Sequence, residues 1–371
     1  MNAVEPLGVD PIGDAPGDAA RLQDFVAQLA VAPVIGLDTE FLRERTYRAQ
    51  LCLLQLATPQ RCECIDPLVP ETLAPLRPAL SSMPCIKIMH AARQDLEVLW
   101  PDFGAVGPVF DTQVAASLAG LPAQVGYGDL VRRLLGVELS KAHTRTDWSR
   151  RPLSPAQLAY AVDDVRYLFG LRDTLLEQLD KLGRVEWLNE ELQQLARPEI
   201  LFVDPERAVE RLKGIQELDP DRQRLAQRLA EWRERRAADR NRPRSWILDD
   251  AGLRAVLLRV PRSMAQLAEL PELAPAFIEN SGADILHLIE AAAMPQPLPA
   301  VPGRARPDPL FTACVKKLAT VTREVAETLS ISPEILATRR DMEELARGER
   351  GGPTQRGWRR DVVGDALLAA L

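Results

Sequence analysis

Asp38 and Glu40 stand two residues apart at the end of the apolar run Val34-Ile-Gly-Leu-Asp-Thr-Glu-Phe41. A strand repeats every two residues, so both carboxylates share a face and can grip one cation together. Acidic residues commonly end strands, and this pair alone specifies nothing. Asp95 lies in His90-Ala-Ala-Arg-Gln-Asp-Leu-Glu-Val-Leu99, where a strand turns into a helix. By itself it is a favourable charge near a helix N-terminus. In Tyr160-Ala-Val-Asp-Asp-Val-Arg-Tyr-Leu168, Tyr160 and Asp164 are four apart and share a helix face, whereas Asp163 is rotated by about 100° and points elsewhere. Taken together, D-x-E, D and Y-x₃-D form an all-oxygen set that selects Mg²⁺ or Mn²⁺ over zinc. Two such ions suit an in-line phosphodiester displacement, with a tyrosine beside them to orient and help deprotonate water.

The elements that must position these groups are legible in outline. Strands are expected at Val34 to Phe41, Leu51 to Ala57, Arg61 to Asp66, Cys85 to Met89 and Val109-Phe110. Cys62 and Cys64 fall on one face of the third, with Glu63 on the other. Helices are expected near Glu71 to Ser81, from Ala91 to Trp100, after an N-cap at Asp111, and from Pro155 onward. Strands this close in sequence imply hairpins and a mixed sheet in an α/β sandwich. After Arg197 the pattern is helical, with long helices at Asp221 to Asp239 and Asp249 to Arg259. Met294 to Pro309 carries Pro295, Pro297, Pro299, Pro302, Pro307 and Pro309, a semi-extended linker. The expected organisation is a catalytic domain over 1–197, an all-α domain over 205–293, the linker over 294–309 and a last helical domain over 310–371.

The order and contexts of these motifs resemble the DEDD-type 3′→5′ exonucleases, in the subclass whose last motif carries tyrosine, and within them the ribonuclease D family. The resemblance rests on Asp38-Thr-Glu-Phe-Leu-Arg-Glu-Arg-Thr-Tyr47, Asp95-Leu-Glu-Val-Leu99 and Arg145-Thr-Asp-Trp-Ser-Arg-Arg-Pro-Leu153. It implies a ribonuclease H-like fold, metal ligation by Asp38, Glu40, Asp95 and Asp164, and a water-orienting role for Tyr160. It also implies two divalent cations as cofactors and release of nucleoside 5′-monophosphates from RNA 3′ ends, with tRNA precursors among the substrates. Phe41 would stack on the terminal base, with core packing the alternative reading. Arg43, Arg45, Arg48, Lys141, Arg145, Arg150 and Arg151 are the candidates for phosphate contacts. Leu229-Ala-Glu-Trp-Arg233, Asn241-Arg-Pro, Ile247-Leu-Asp-Asp250 and Pro261-Arg-Ser-Met-Ala-Gln-Leu267 resemble the HRDC module, and Gly357-Trp-Arg-Arg360 a divergent second copy. A DNA 3′→5′ exonuclease and a catalytically silent nucleic-acid scaffold remain alternatives. The contacts to a 2′-hydroxyl that would separate RNA from DNA are not readable from one sequence.

Composition sets the outer bounds. The 371 residues carry a net charge of −7, unusual for a chain whose partner is a polyanion. The charge is uneven: residues 1–200 hold 19 basic and 27 acidic side chains, residues 201–371 hold 27 and 26. Arg222 to Arg244 contains nine arginines against Glu231, Glu234 and Asp239, either a basic surface or a solvated helix face. The five cysteines have no zinc spacing and read as reduced, partly buried thiols. Trp148, Trp187, Trp232 and Trp246 read as core or hinge anchors. His90 reads as a core histidine at a strand end. No apolar run approaches a membrane span, and Met1 to Ala20 lacks the basic start and apolar stretch of a secretory signal, so no membrane partner and a cytoplasmic location are expected. No phosphate-binding P-loop is present, so the HRDC resemblance does not imply a helicase motor.

Overall fold

The computed structural model describes residues 11–13, 15–140, 146–195, 197–202, 204–293 and 308–371. Lys141, His143 and Arg145, together with most of the proline-rich run, lie outside the described residues. Backbone contacts divide the chain into two compact units. One comprises Met1–Leu42, Gln50–Leu201 and Asp308–Leu371; the other comprises Arg43–Ala49 and Phe202–Pro307.

The first unit is built on a mixed five-stranded sheet of β1 (Val34–Leu42), β2 (Gln50–Ala57), β3 (Cys62–Ile65), β4 (Ile86–Met89) and β5 (Val109–Asp111), in the order β3-β2-β1-β4-β5. β1 pairs antiparallel with β2 and parallel with β4. The first three strands form a meander, and β4 and β5 extend it in parallel. Helices α1 (Asp18–Val31), α2 (Arg93–Phe103), α3 (Thr112–Leu118), α4 (Tyr127–Leu135), α5 (Pro155–Arg166), α6 (Leu168–Lys181), α7 (Val185–Leu195) and α8 (Pro198–Leu201) complete the α/β part.

One local expectation fails for an identifiable reason. Where a helix was expected near Glu71 to Ser81, the chain makes only a 3₁₀ turn at Ala74–Leu76 and a π turn at Pro78–Ser82. Pro75 and Pro78 remove amide donors and obstruct the preceding turn, which prevents a continuous helix. Glu63, on the face opposite Cys62 and Cys64, is buried, and Arg21 and Arg61 reach it there. All five cysteines are free thiols, and burial first, then Glu63, pushes the Cys62 thiol up to about 12.

The second unit packs α9 (Pro220–Asp239), α10 (Arg244–Ile247), α11 (Asp250–Arg259), α12 (Met264–Ala268) and α13 (Pro275–Ala292) around Leu225, Leu229, Val256, Leu267 and Ile285. Within it, buried Glu234 accepts the Tyr47 hydroxyl and pairs with Arg244. Arg222, Arg224, Arg233, Arg235, Arg236 and Arg244 each form an ion pair, so much of the arginine-rich stretch is internally compensated. Trp246 is 56% exposed rather than an anchor, with Arg242 over its ring.

The chain then rejoins the first unit through α14 (Pro309–Leu329), α15 (Pro333–Leu336), α16 (Arg339–Ala346), α17 (Gly357–Arg359) and α18 (Asp365–Ala369). Leu318, Leu336, Trp358 and Leu367 share one apolar cluster with Leu118, Leu175 and Leu188. Trp358 stacks on Trp187 with ring centroids 4.6 Å apart and donates its indole N–H to Glu191 at 2.8 Å. Arg184 donates to the Leu118 and Leu329 carbonyls at 2.7 and 2.6 Å, bridging the two segments. Among the described residues, no helix is long and apolar enough to cross a membrane.

Candidate active site

The alternation of β1 is maintained through Asp38 and Glu40, whose cross-strand partners are Gln55 and Leu53. Their side chains therefore emerge on one face. Thr39 points to the other face, is buried, and donates its hydroxyl to Asp95. A bulge between Glu40 and Phe41 then breaks the register. Such bulges re-aim side chains near functional sites. Phe41 emerges half-buried immediately beyond it.

Helix α5 closes over that face. Its start is fixed by a reciprocal cap between Ser154 and Gln157, with Pro155 in the first turn where its missing donor costs nothing. Ala161 and Val165 are fully buried. A Cβ at Gly36 would lie 3.4 Å from the Val165 carbonyl oxygen, the Leu168 Cδ1 and the Ala57 Cβ. A larger residue there would push the helix off β1. One turn apart on α5, Tyr160 and Asp164 are hydrogen-bonded to each other. Asp163 turns aside to Arg166 at 3.3 Å, as the helical period requires.

The segment before α5 forms a shelf for Tyr160. Trp148 is buried and lies against the Tyr160 ring, centroids 6.1 Å apart. Arg151 holds that shelf, donating to the Cys52 carbonyl at 2.7 Å and the Trp148 carbonyl at 2.8 Å while pairing with Asp66. Its hydrogen bonds are spent on structure, which removes it from the phosphate candidates. Arg150 is exposed and pairs with Asp147 at 3.0 Å.

Asp95 comes from the first turn of α2, where it is buried. Asp111 fixes that turn in addition to capping α3. Its carboxylate accepts from the Ala91 and Ala92 amides at 3.1 and 2.8 Å and from the Gln113 and Val114 amides at 2.8 and 3.2 Å. Ala91 has φ +55°, a left-handed conformation that these bonds help hold. His90 bridges Thr112 at 2.9 Å and the Val125 carbonyl at 3.0 Å, and burial lowers its pKa. It is a neutral structural residue beside the site.

Ligand atoms of Asp38, Glu40 and Asp164 lie within 4.8 Å of one another. Asp95 is outside that circle, yet after burial it is the largest charge acting on Asp38, followed by Asp164 and Glu40. These influences hold the Asp38 carboxyl well above the usual range. Burial, then Asp164 and Asp95, pushes Glu40 up to about 8. Asp164 rises to about 7 through burial and Asp163, and Asp95 to about 7 through burial, against the lowering effect of Thr39. The Tyr160 hydroxyl is likewise raised by burial, Asp164, Glu40 and Asp38, so it keeps its proton. Among the described residues, none of the four carboxylates pairs with a lysine, arginine or histidine. An uncompensated, partly buried set of carboxylate oxygens fits a hard divalent cation.

The profile of a 3′-5′ exonuclease family matches residues 15–180, and that of the HRDC domain matches residues 222–289. Ribonuclease D of Nitrobacter hamburgensis is 37% identical, the match covering 94% of this chain and 93% of the relative. Ribonuclease D of Granulibacter bethesdensis is 40% identical over 91% of this chain and 87% of its own. Among solved structures, Escherichia coli RNase D, an exoribonuclease involved in structured RNA processing, matches with a TM-score of 0.84 at 30% identity, covering 97% of each chain. The catalytic core of RRP6 from Trypanosoma brucei, at 22% identity and a TM-score of 0.56 over 79% of this chain and 83% of that one, shares the fold.

Proposed function

The chain belongs to the ribonuclease D family and is a 3′→5′ exoribonuclease, and we propose that it works with two divalent cations, Mg²⁺ or Mn²⁺, held by Asp38, Glu40, Asp95 and Asp164. The observation that carries this reading is the convergence of three of those carboxylates within 4.8 Å, with no basic partner among the described residues and Asp95 as a strong electrostatic neighbour. Bound there, the cations would stabilise the charge that develops on the attacking and leaving oxygens.

The chain's own residues have distinct tasks in this proposal. Asp38, on which Asp95, Asp164 and Glu40 all act, would serve both cations. Thr39 and Asp111 hold Asp95 in place through the hydrogen bonds described above. Tyr160, one helical turn from Asp164 and hydrogen-bonded to it, would orient the attacking water and help remove its proton. Water attacks the terminal phosphorus and the bond to the 3′-oxygen breaks. The new oxygen stays on phosphorus, which yields a nucleoside 5′-monophosphate and an RNA with a free 3′-hydroxyl.

Phe41 is proposed to meet the terminal base, and Arg145 and Arg150 the phosphates. The HRDC domain, with 310–371 as a divergent second copy, is proposed to hold structured RNA such as a tRNA precursor. Incubating a 3′-extended tRNA precursor and a single-stranded DNA, each with Mg²⁺ or with chelator, tests the proposal. Cation-dependent shortening of the RNA to its mature end is expected. Equal degradation of the DNA, or shortening under chelation, would contradict it.

A further inference from the structure

Gln55 is fully buried on β2, yet among the described residues neither its amide nitrogen nor its amide oxygen has a hydrogen-bond partner. Both atoms have given up water without replacement, a costly arrangement in a native core. The sheet register shows where a partner lies. Gln55 is the cross-strand partner of Asp38 on one side and of Cys64 on the other. Directly opposed residues share a face, with Cβ atoms about 4.5–5.5 Å apart.

On that face its remaining neighbours along β2 are Leu53 and Ala57, and buried Ala161 of α5 belongs to the same apolar cluster as Leu53 and Cys64. Cys64 is a thiol whose burial keeps it protonated. Of these neighbours, Asp38 alone carries a strong acceptor. The distance between opposed Cβ atoms is within the length of a glutamine side chain.

Resting on the carboxylate reading of the site, we propose that Gln55 is a positioning residue: with the cations bound, its Nε2–H donates to the Asp38 carboxylate and fixes which oxygen that residue turns to the cation. An amide suits this task better than the alternatives. A lysine or arginine would neutralise Asp38 and compete with the cation, whereas an apolar side chain would leave the carboxylate free to rotate. Outer partners of this kind typically contribute about 10–100-fold to metal affinity or activity.

The test is Gln55→Met in the full-length chain, which keeps side-chain volume and removes both polar atoms. Mn²⁺ affinity, by titration calorimetry, is expected to fall about tenfold or more, and kcat to fall with it, while KM for RNA stays constant. The melting temperature in chelator should hold or rise, because two unsatisfied buried atoms are gone. Should this variant fail to fold, Gln55→Asn keeps the amide but withdraws it by one methylene and should show the same two losses. Mn²⁺ affinity and kcat both within about twofold of the parent, or a lowered melting temperature as the variant's sole effect, would overturn the proposal and make Gln55 a packing residue. Asp38→Asn run in parallel separates the two levels. If it binds Mn²⁺ normally, the carboxylate site itself is wrong; if it loses Mn²⁺ while Gln55→Met does not, only the role of Gln55 fails.

Discussion

Raising the pH from about 6 to about 8.5 is expected to destabilise the cation-free protein and to leave the cation-loaded protein nearly unchanged, so that the stabilisation a cation confers grows. The folded-state pKa values of Asp95 and Asp164, about 7, and of Glu40, about 8, lie above those of an unfolded chain. In the cation-free protein the folded state therefore binds more protons than the unfolded state between roughly pH 4 and 8. Whatever stability these groups contribute is present at low pH and lost as the pH rises through those values. A cation must displace the same protons, so its binding strengthens over that range. At pH 6 a group of pKa about 7 is protonated roughly tenfold in excess and one of pKa about 8 roughly a hundredfold, each decade being about 1.4 kcal/mol. Because the groups interact, the gain in cation affinity should be on the order of 10²–10³ rather than the full product. Even a hundredfold gain adds about 2.7 kcal/mol of cation-induced stabilisation when binding is already strong. Thermal unfolding in chelator and in Mg²⁺, at matched ionic strength, reads both trends. A Mg²⁺-induced shift of equal size at both ends of the range, or one that survives in Asp38→Asn, would refute the reasoning.

Other outcomes follow from the same geometry. Asp38→Asn, Glu40→Gln and Asp164→Asn should each reduce turnover to below a tenth of the parent while leaving the melting temperature in chelator equal or higher, since like charges are relieved. Tyr160→Phe should retain Mn²⁺ binding and lower single-turnover kcat by about 10²-fold, toward the low end for proton transfer because positioned water can partly replace the hydroxyl. Trp358→Ala should cost about 3–5 kcal/mol in urea unfolding, because it removes a buried ring stacked on Trp187 and leaves Glu191 without the indole donor. An unchanged denaturation midpoint would detach the last helices from the core of the first unit.

The sequence carried the local part of the site well. Period two placed Asp38 with Glu40, and period 3.6 separated Asp164 from Asp163 and joined it to Tyr160; the structure brings these residues together in that way. What escaped was non-local. Gln55 is an unremarked polar residue in an apolar strand until the β1–β2 register sets it opposite Asp38. Asp111 is legible as a cap for α3, but its grip on the start of α2 depends on two parallel strands lying side by side. Alternation sets Glu63 on the face opposite Cys62 and Cys64, and only the packing of α1 shows that Arg21 lies over it. The proline-rich run marks a break in the chain, but composition cannot tell that the helices beyond it share a core with Leu118 and Leu188. Arg145, a candidate phosphate contact, falls outside the described residues, and Arg151 is committed to holding the shelf under Tyr160.

The most direct test of the central claim is to identify what leaves the RNA. A short single-stranded RNA with a free 3′-hydroxyl is incubated with the full chain and Mg²⁺, and the released nucleotides are separated by chromatography against standards. The account predicts nucleoside 5′-monophosphates appearing in order from the 3′ end, and none with Asp164→Asn. Nucleoside 3′-monophosphates, 2′,3′-cyclic phosphates or internal fragments would contradict it.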